Sequence, residues 1–322
     1  MRFMLKFTLP LAIALGLAPA MAQSKFPDGP LKIIVPFAAG GGVDNAARLL
    51  AKQLQTQLNI PVLVENRPGA NGSIGGKFVQ TAAPDGQTLL FSASTHVLAR
   101  QVMSAPPYDP ASDFSYIARV GEAPLLMVIS PSLPQSRLKD VIDSARQNPE
   151  SWTAGLPALG AASHLATLML AKQGPFKLTT ATYRGTAPAL TDVAGGHTQI
   201  LIDSIVSLQS MAKSGRVKPI IVTSAKRSSV MPQVPTAVES GYPKFVTESW
   251  YGLWGPKGLA DERVQWLNKA TNEAVRQLAK AGAWDQIGIE PVTESVADFR
   301  KYASQYTLES ADLLKEAGFK PE

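Results

Sequence analysis

The sequence of 322 residues predicts an α/β protein with two lobes around a central cleft. Short apolar strands alternate with amphipathic helices in two separate series, and two long apolar segments run between these series. Strands that alternate with helices of roughly 10–15 residues are typical of βαβ units and parallel sheets. Because open α/β sheets bind ligands at the carboxyl ends of their strands, the loops of both lobes should face the cleft.

The first series occupies the region before residue 93. Apolar residues in its helices recur at helical spacing, and its strands are short apolar runs that end in glycine or proline turns. Pro84-Asp85-Gly86 is one such turn signal. The series is predicted to comprise strands over 31–37, 61–65 and 88–92 and helices over 44–58 and 73–83.

The second series begins after a long apolar segment over 116–130, which suits a strand that leaves one sheet and joins another. A second apolar segment over 249–256 is a candidate for the return crossing, and two long helices over 261–281 and 296–317 close the chain. We therefore predict a first lobe from 23–123 and 236–322 and a second lobe from 124–235. The second series is predicted to comprise helices over 138–147, 163–172 and 187–194 and strands over 152–156, 179–183, 200–203 and 218–224.

The N-terminal segment has the pattern of a secretory signal peptide. Arg2 and Lys6 precede an apolar run, and Ala20-Met21-Ala22 supplies small residues for cleavage after Ala22. The alternative is a retained anchor, but the run is shorter than the roughly 20 residues that span a membrane. The predicted signal peptide over 1–22 leaves a mature chain of 300 residues, which we expect to be exported.

Charge and cysteine content exclude several classes of function. Without Arg2 and Lys6 the chain has 29 basic and 25 acidic residues, and this net charge of +4 is spread out rather than gathered in a stripe. We therefore expect no nucleic-acid partner, although the charge would favour anionic ligands as well as solubility. The chain has no cysteine, which excludes thiol nucleophiles, thiolate metal sites and a lipid-bearing cysteine.

The strongest candidate site is the loop 36–44 between the first strand and the first helix. It contains Gly40-Gly41-Gly42, and glycines without Cβ atoms let a ligand approach the backbone closely. A helix N-terminus offers free N–H groups and a positive dipole end, which suit a carboxylate or phosphate. Asp44 fits the N-cap position of this helix. The alternative is a tight turn before a capped helix, and the loop lacks both P-loop and dinucleotide-binding spacing.

Three further segments are weaker candidates. The glycine-rich turn 65–76 contains Arg67, but a supporting role for the first loop is favoured there. Ser92, Ser94 and Thr95 end the third strand with hydroxyl groups, while His96 lacks a second metal ligand at suitable spacing. In the second lobe the helix starts around 161–164 and 184–186 could bind a second carboxylate. Asp203 could contact an ammonium or hydroxyl group of the ligand. The alternative for each of these segments is a capped helix start that contacts no ligand.

Catalytic patterns are sparse. The three histidines are scattered, and no HExxH, GxSxG or SxxK spacing occurs. Ser163 and His164 are adjacent on a helix, where neighbouring side chains point apart. The sequence therefore predicts a protein that is not an enzyme and needs no metal or cofactor.

These segments together resemble the extracytoplasmic solute receptors of tripartite tricarboxylate transporters, often called Bug-type receptors. The resemblance extends over the whole mature chain, and its markers occur in the same order as in that family. They are IVPFAAGGGVD at 34–44, VENRPGANG at 64–72, APDGQTLL at 83–90, Gly160 to His164, YRG at 183–185, VPT at 234–236, ESG at 239–241 and WYGLWGP at 250–256.

The resemblance implies a type II periplasmic-binding-protein fold, the Venus-flytrap, in which two lobes close on a carboxylate. One carboxylate of the ligand would meet the first-lobe loop and the other end the second-lobe turns, with Asp203 near an amino or polar group. Asn71 and Ala161-Ala162 depart from the commoner family pattern. The predicted binding residues are Phe37, Ala39, Gly40, Gly41, Gly42, Asp44, Ser92, Ser94, Thr95, Ala161, Ala162, Ser163, His164, Arg184, Gly185, Thr186 and Asp203.

We therefore expect a periplasmic monomer that captures a small mono- or dicarboxylate, aliphatic or aromatic, for integral membrane transporter subunits. A ligand-loaded sensor that docks on a membrane signalling kinase is the alternative, since both functions need the same closing cleft. A periplasmic hydrolase or isomerase is the third hypothesis. Turnover of the bound carboxylate would favour it over the other two.

Overall fold

The computed structural model describes residues 26–174, 176 and 178–322. The predicted signal peptide lies outside these described residues. The structure confirms the α/β prediction: in the described part of the chain, ten strands form one sheet, which is flanked by ten α-helices. The strands are β1 Leu31–Val35, β2 Val62–Asn66, β3 Thr88–Ala93, β4 Phe114–Ile129, β5 Thr153–Leu156, β6 Thr179–Thr182, β7 Ile200–Ser204, β8 Lys218–Val222, β9 Glu248–Pro256 and β10 Glu290–Pro291.

The helices agree with the predicted series except for short elements that the sequence did not reveal. The helices over 99–102, 205–213 and 283–287 and strand β10 were not predicted. The helices are α1 Gly42–Leu58, α2 Ser73–Gln80, α3 Ala99–Val102, α4 Leu138–Gln147, α5 Ala162–Lys172, α6 Thr186–Gly195, α7 Ile205–Lys213, α8 Asp261–Lys280, α9 Ala283–Ile287 and α10 Val296–Glu316. No helix in the described ranges is both long enough and apolar enough to cross a membrane.

The long strand β4 belongs to both halves of the sheet. Residues Phe114 to Pro124 pair with β9, and Leu125 to Ile129 pair with β7 on one side and largely with β8 on the other. The strand order is β2-β1-β3-β9-β4-β7-β5-β6. We call the part built on β1, β2, β3 and β9 the first lobe, and the part built on β5 to β8 the second lobe. The residue boundaries predicted for the lobes stay a prediction.

Both halves of the sheet are mixed rather than parallel as predicted. Strand β1 lies parallel to β2 and β3, and β5 lies parallel to β6 and β7. The antiparallel pairs all involve β4 or β9, the two strands that carry the chain between the lobes. The crossing strands β4 and β9 run antiparallel to the strands of the βα series beside them. The alternation of strands and helices therefore predicted only the parallel part of each half of the sheet.

Buried apolar side chains from both lobes pack together as well as within each lobe. One cluster joins Val97, Leu98 and Val102 of the first lobe to Leu156 and Leu159 of the second. Four tryptophans are fully buried, and Trp250 and Trp254 on β9 pack edge to face or tilted against Phe299 of α10. This packing holds the loops at the ends of β1, β3, β5 and β7 close to one another.

Candidate functional site

A cavity lies between the two lobes, where loops of both βα series meet. It offers about 40 Å³ that the centre of a water molecule can reach. Since one water needs roughly 10–15 Å³ on this measure, the cavity accommodates a few small groups. Among the described residues on its wall, Asp203 is the only one with an acidic or basic side chain. The site therefore suits a small molecule, and any anion there must be bound by groups other than lysine or arginine.

Four helices begin at this cavity. The N-cap residues of α1, α5, α6 and α7 are Gly41, Ala161, Gly185 and Ser204, and all four line it. The first three provide no capping side chain, and only Ser204 accepts a hydrogen bond from its own helix. Helix N-termini carry unpaired N–H groups and a positive partial charge. Their convergence makes the cavity attractive to an anion.

The glycine loop at the start of α1 is more fully bonded than the sequence predicted. The Gly40 N–H donates to Asp44 Oδ2 at 2.9 Å, and the Gly42 N–H donates to Ser207 Oγ of α7 at 2.7 Å. A Cβ atom at Gly42 would lie 2.6 Å from Ser207 Oγ and 3.3 Å from Tyr251 Oη. The absence of a side chain at Gly42 therefore allows the first lobe to approach α7 of the second.

Asp44 supports this loop and does not cap the helix. The predicted N-cap role is wrong, because the N-cap is Gly41 and Asp44 is the third residue of α1. Its carboxylate accepts hydrogen bonds from Arg48 Nε at 3.0 Å and Asn66 Nδ2 at 2.9 Å. Burial alone would raise the pKa of Asp44, but these donors and the Gly40 N–H hold it below its ordinary value of 3.8.

Asn66 links this network to the next loop. Its Nδ2 also donates to the Phe37 carbonyl at 3.1 Å, and its Oδ1 accepts from Arg48 Nη2 at 2.9 Å. Arg67, the cation of the glycine-rich turn, is paired with Glu65 and lies 3.6 Å from the Phe78 ring centroid. The turn after β2 therefore braces the glycine loop and holds its own arginine away from the cavity.

Asp203 has a different environment from Asp44. It is the last but one residue of β7, and its carboxyl group accepts a hydrogen bond from the Thr186 hydroxyl at the start of α6. Burial without a basic partner raises the pKa of Asp203 to about 6, although hydrogen bonds from Thr186 and the Ser204 N–H oppose the rise. Next to it, Tyr251 and Ser204 share a buried hydrogen bond of 2.7 Å between their hydroxyl oxygens.

The structure brings nine of the predicted residues onto the cavity wall and leaves eight away from it. Those on the wall are Phe37, Gly41, Gly42, Thr95, Ala161, Ala162, Gly185, Thr186 and Asp203. Ala39 and Gly40 are exposed, and Ser92, Ser94 and Ser163 are buried behind the wall. Arg184 is exposed beside a second cavity that adjoins the first. A ligand contact for any of these residues stays a prediction.

Two of the three histidines, His96 and His164, are buried in the fold. His164 accepts the Gly160 N–H at 3.1 Å, and burial lowers its pKa to about 4. His96 lies among Tyr108, Phe114 and Trp254, and burial lowers its pKa to about 3. Both rings are therefore neutral near pH 7 and are held by packing. Within the described residues, no group of three histidines or acidic residues could hold a metal ion.

Sequence reasoning missed several wall residues. Ser207 lies on α7, which was not predicted, and Ser249 and Tyr251 lie on β9, which was interpreted only as a crossing strand. Strand β9 lies between β3 and β4, beside the ends of the parallel strands. The aromatic and hydroxyl residues at 249–251 were therefore the sequence signal for these wall positions. Only the sheet order shows that they face the cavity.

Comparison with known proteins agrees with this geometry. Residues 46–319 match the family described as the tripartite tricarboxylate transporter family receptor. The protein BugT of Bordetella pertussis strain Tohama I is 33% identical over 307 residues, which cover 95% of this chain and 94% of BugT.

Two solved structures have the same fold. The periplasmic binding protein BugD is 32% identical with a TM-score of 0.87, and the match covers 92% of this chain and all of BugD. Rpa4515 of R. palustris, solved with adipate, is 30% identical with a TM-score of 0.89 over 92% of this chain and all of that protein. The chain therefore belongs to the tripartite tricarboxylate transporter receptor family and has the two-lobe fold of periplasmic solute-binding proteins.

Proposed function

We propose that this protein is a periplasmic receptor that binds a small carboxylate between its lobes and delivers it to the membrane subunits of a tripartite tricarboxylate transporter. The observation that carries the proposal is the convergence of four helix N-termini on one cavity without a basic side chain on its wall. Backbone N–H groups and hydroxyls then supply the hydrogen bonds that a carboxylate needs. The adipate in Rpa4515 supports the same ligand class.

The ligand carboxylate is expected at the start of α1 and beside Thr95, with the other end of the ligand near Asp203. An ionised Asp203 would accept a hydrogen bond from an ammonium group, whereas a protonated Asp203 would donate one to a second carboxylate. Because burial raises the pKa of Asp203 to about 6, both forms occur near neutral pH. The protonation state of Asp203 therefore selects between ligands with an ammonium group and ligands with a second carboxylate at the distal end.

Closure of the cleft is expected to be a population shift. A ligand that contacts both walls binds the closed arrangement more tightly than the open one, and it stabilises closure by that difference. Gly42 and Ser207, which already meet across the cleft, mark where the two lobes come together around the ligand.

The first experiment is calorimetric titration of the mature chain after unfolding and refolding, which removes any ligand that copurifies. The panel contains adipate, succinate, benzoate, aspartate and the uncharged adipamide, each at pH 5 and pH 8. We expect at least one carboxylate to bind and adipamide not to bind. A dicarboxylate should bind more weakly at pH 8 than at pH 5, because Asp203 is ionised at pH 8 and repels the second carboxylate. The affinity for an amino acid should not fall at pH 8, because its ammonium group pairs with the ionised Asp203. A panel without any bound carboxylate contradicts the proposed ligand class.

The transporter partnership is tested in cells. Deletion of the gene should abolish uptake of the bound carboxylate while expression of the uptake genes still responds to that carboxylate. The reverse result, normal uptake with lost induction, would instead identify a sensor. Recovery of the carboxylate unchanged after prolonged incubation with the protein excludes a hydrolase or isomerase. Sedimentation of the mature chain at the mass of one copy tests the expected monomer.

A further inference from the structure

The segment Gly69–Gly72 adopts an unusual backbone conformation at the outer edge of the site. All four residues have positive φ angles, and two of them are not glycine: Ala70 at 44° and Asn71 at 53°. Left-handed backbone is unfavourable for residues with a Cβ atom, although asparagine tolerates it better than most. Such conformations persist where the surrounding structure holds them, and they are concentrated at ligand clamps and switches.

The side chain of Asn71 crosses the cleft. Its Oδ1 accepts a hydrogen bond from the Leu159 N–H at 3.1 Å, which joins the loop after β2 to the loop between β5 and α5, 88 residues further along the chain. Within the loop itself the hydrogen bonds are made by backbone groups, from the Gly72 N–H to the Gly69 carbonyl and from the Ser73 N–H to the Ala70 carbonyl. The Asn71 side chain is therefore not needed to close its own turn.

This contact lies outside the proposed carboxylate site but directly beside it. Asn71 lines a second cavity, which shares Phe37, Pro157 and Ala158 with the first one. The Gly42 contact to Ser207 is different, because both residues lie on the wall of the first cavity and it uses an N–H group at the start of α1, where the ligand carboxylate is proposed to bind. The bond from Asn71 can join the lobes without occupying any group that a ligand would contact.

We propose that Asn71 is a latch across the mouth of the cleft, which stabilises the closed arrangement of the lobes and slows release of a bound ligand. The effect on closure is independent of what the protein binds, and only the effect on release rests on the proposed function. When the cleft opens, the Leu159 N–H and the Asn71 amide form hydrogen bonds with water instead of with each other. The latch therefore stabilises closure by the difference in free energy between these two arrangements. One hydrogen bond of this kind shifts the ratio of closed to open molecules about three- to tenfold.

Three variants separate the latch from the turn. Asn71→Gly removes the acceptor and keeps a residue that adopts left-handed backbone easily. Asn71→Asp keeps an oxygen at the same position, and aspartate also tolerates this conformation. Asn71→Ala removes the acceptor and retains the Cβ atom, so it reports the strain of the turn. Melting temperatures identify any variant in which the turn itself is damaged.

Closure is measured by electron–electron double resonance between spin labels, one on each lobe. The chain has no cysteine, so Leu63→Cys and Lys139→Cys give a unique pair of labels at exposed positions. Without ligand, Asn71→Gly and Asn71→Ala should lower the ratio of closed to open molecules about three- to tenfold, while Asn71→Asp stays near the parent protein. A parent protein that is fully open, an unshifted Asn71→Gly, or an Asn71→Asp that opens as far as Asn71→Gly would overturn the latch.

Stopped-flow release of adipate provides the second measurement. Asn71→Gly should release adipate faster by the same factor by which it opens the cleft, with an unchanged bimolecular association rate for the open form. If adipate does not bind the parent protein, adipate is excluded as the ligand, while the label distances still decide whether Asn71 fastens the lobes. An unchanged release rate in a variant with a shifted closed fraction removes the role in ligand retention.

Discussion

The two walls of the cleft contain aspartates with opposite electrostatics, Asp44 buried and Asp203 half-buried. On the first wall, Asp44 accepts hydrogen bonds from Arg48, Asn66 and the Gly40 N–H, and these donors lower its pKa. On the second wall, Asp203 has the Thr186 hydroxyl and the Ser204 N–H but no basic partner, and burial raises its pKa to about 6. Asp44 is withdrawn from the cavity, while Asp203 lines it.

This difference separates a structural carboxylate from one that is available to a ligand. The fold satisfies Asp44 completely, so its charge holds the glycine loop in place and takes no further partner. Asp203 remains poorly compensated, and a buried charge without a partner is costly. Binding a ligand that offers a proton or an ammonium group relieves that cost. Substitutions on the two walls should therefore change stability and affinity in opposite ways.

The largest effect is expected on the first wall. Asp44→Ala removes the acceptor for three donors, and we expect the free energy of unfolding to fall by about 2–4 kcal/mol. The measurement is urea unfolding at pH 7, followed by circular dichroism. Asp143→Ala, which breaks an exposed pair with Lys139 on α4, is the matched control and should unfold like the parent protein. Equal stability of the Asp44 and Asp143 variants would show that the network does not hold the loop.

The sequence predicted part of each wall, since the predicted residues on the cavity wall come from both lobes. The glycines at 40–42 between a strand and a helix indicated a close backbone approach from local pattern alone. The support of Asp44 by Asn66 could not be predicted, since it depends on the pairing of β1 with β2. The wall residues Ser207 of the second lobe and Tyr251 of the first come from α7 and β9, which reach the cavity only through the crossing of the chain at β4. Local spacing does not encode such long-range order.

Gly42 tests the point where the two walls meet. A Cβ atom there would overlap Ser207 Oγ. We therefore expect Gly42→Ala to destabilise the closed arrangement by about 1–3 kcal/mol relative to the open one. This cost weakens carboxylate binding about 5- to 150-fold, measured by calorimetry. Gly41→Ala is the control, because its Cβ atom would lie 3.5 Å from the Ala38 carbonyl oxygen in ordinary contact. Equal affinities for the two variants would show that the walls need not approach as closely as the structure indicates.

The pH dependence of stability is the most direct comparison of the two aspartates. A carboxyl group with a raised pKa stabilises the fold below its unfolded value of 3.8, and this contribution is lost as the pH rises towards 6. Asp203→Asn does not titrate, so it should be more stable than the parent protein at pH 7 by about 1–2 kcal/mol. The difference should disappear near pH 4.

Asp44→Asn should behave in the opposite way. Its parent carboxylate has a lowered pKa, so the contribution is present above pH 3.8 and is lost as the pH falls through the folded value. Asp44→Asn should therefore be less stable than the parent protein at pH 7 and approach it in strong acid. Thermal unfolding of both variants between pH 3 and pH 8 measures the two curves. Curves of the same sign would mean that the partners of the two carboxylates do not shift their pKa values in opposite directions. Asp203 would then lose its assignment as the group that contacts the distal end of the ligand.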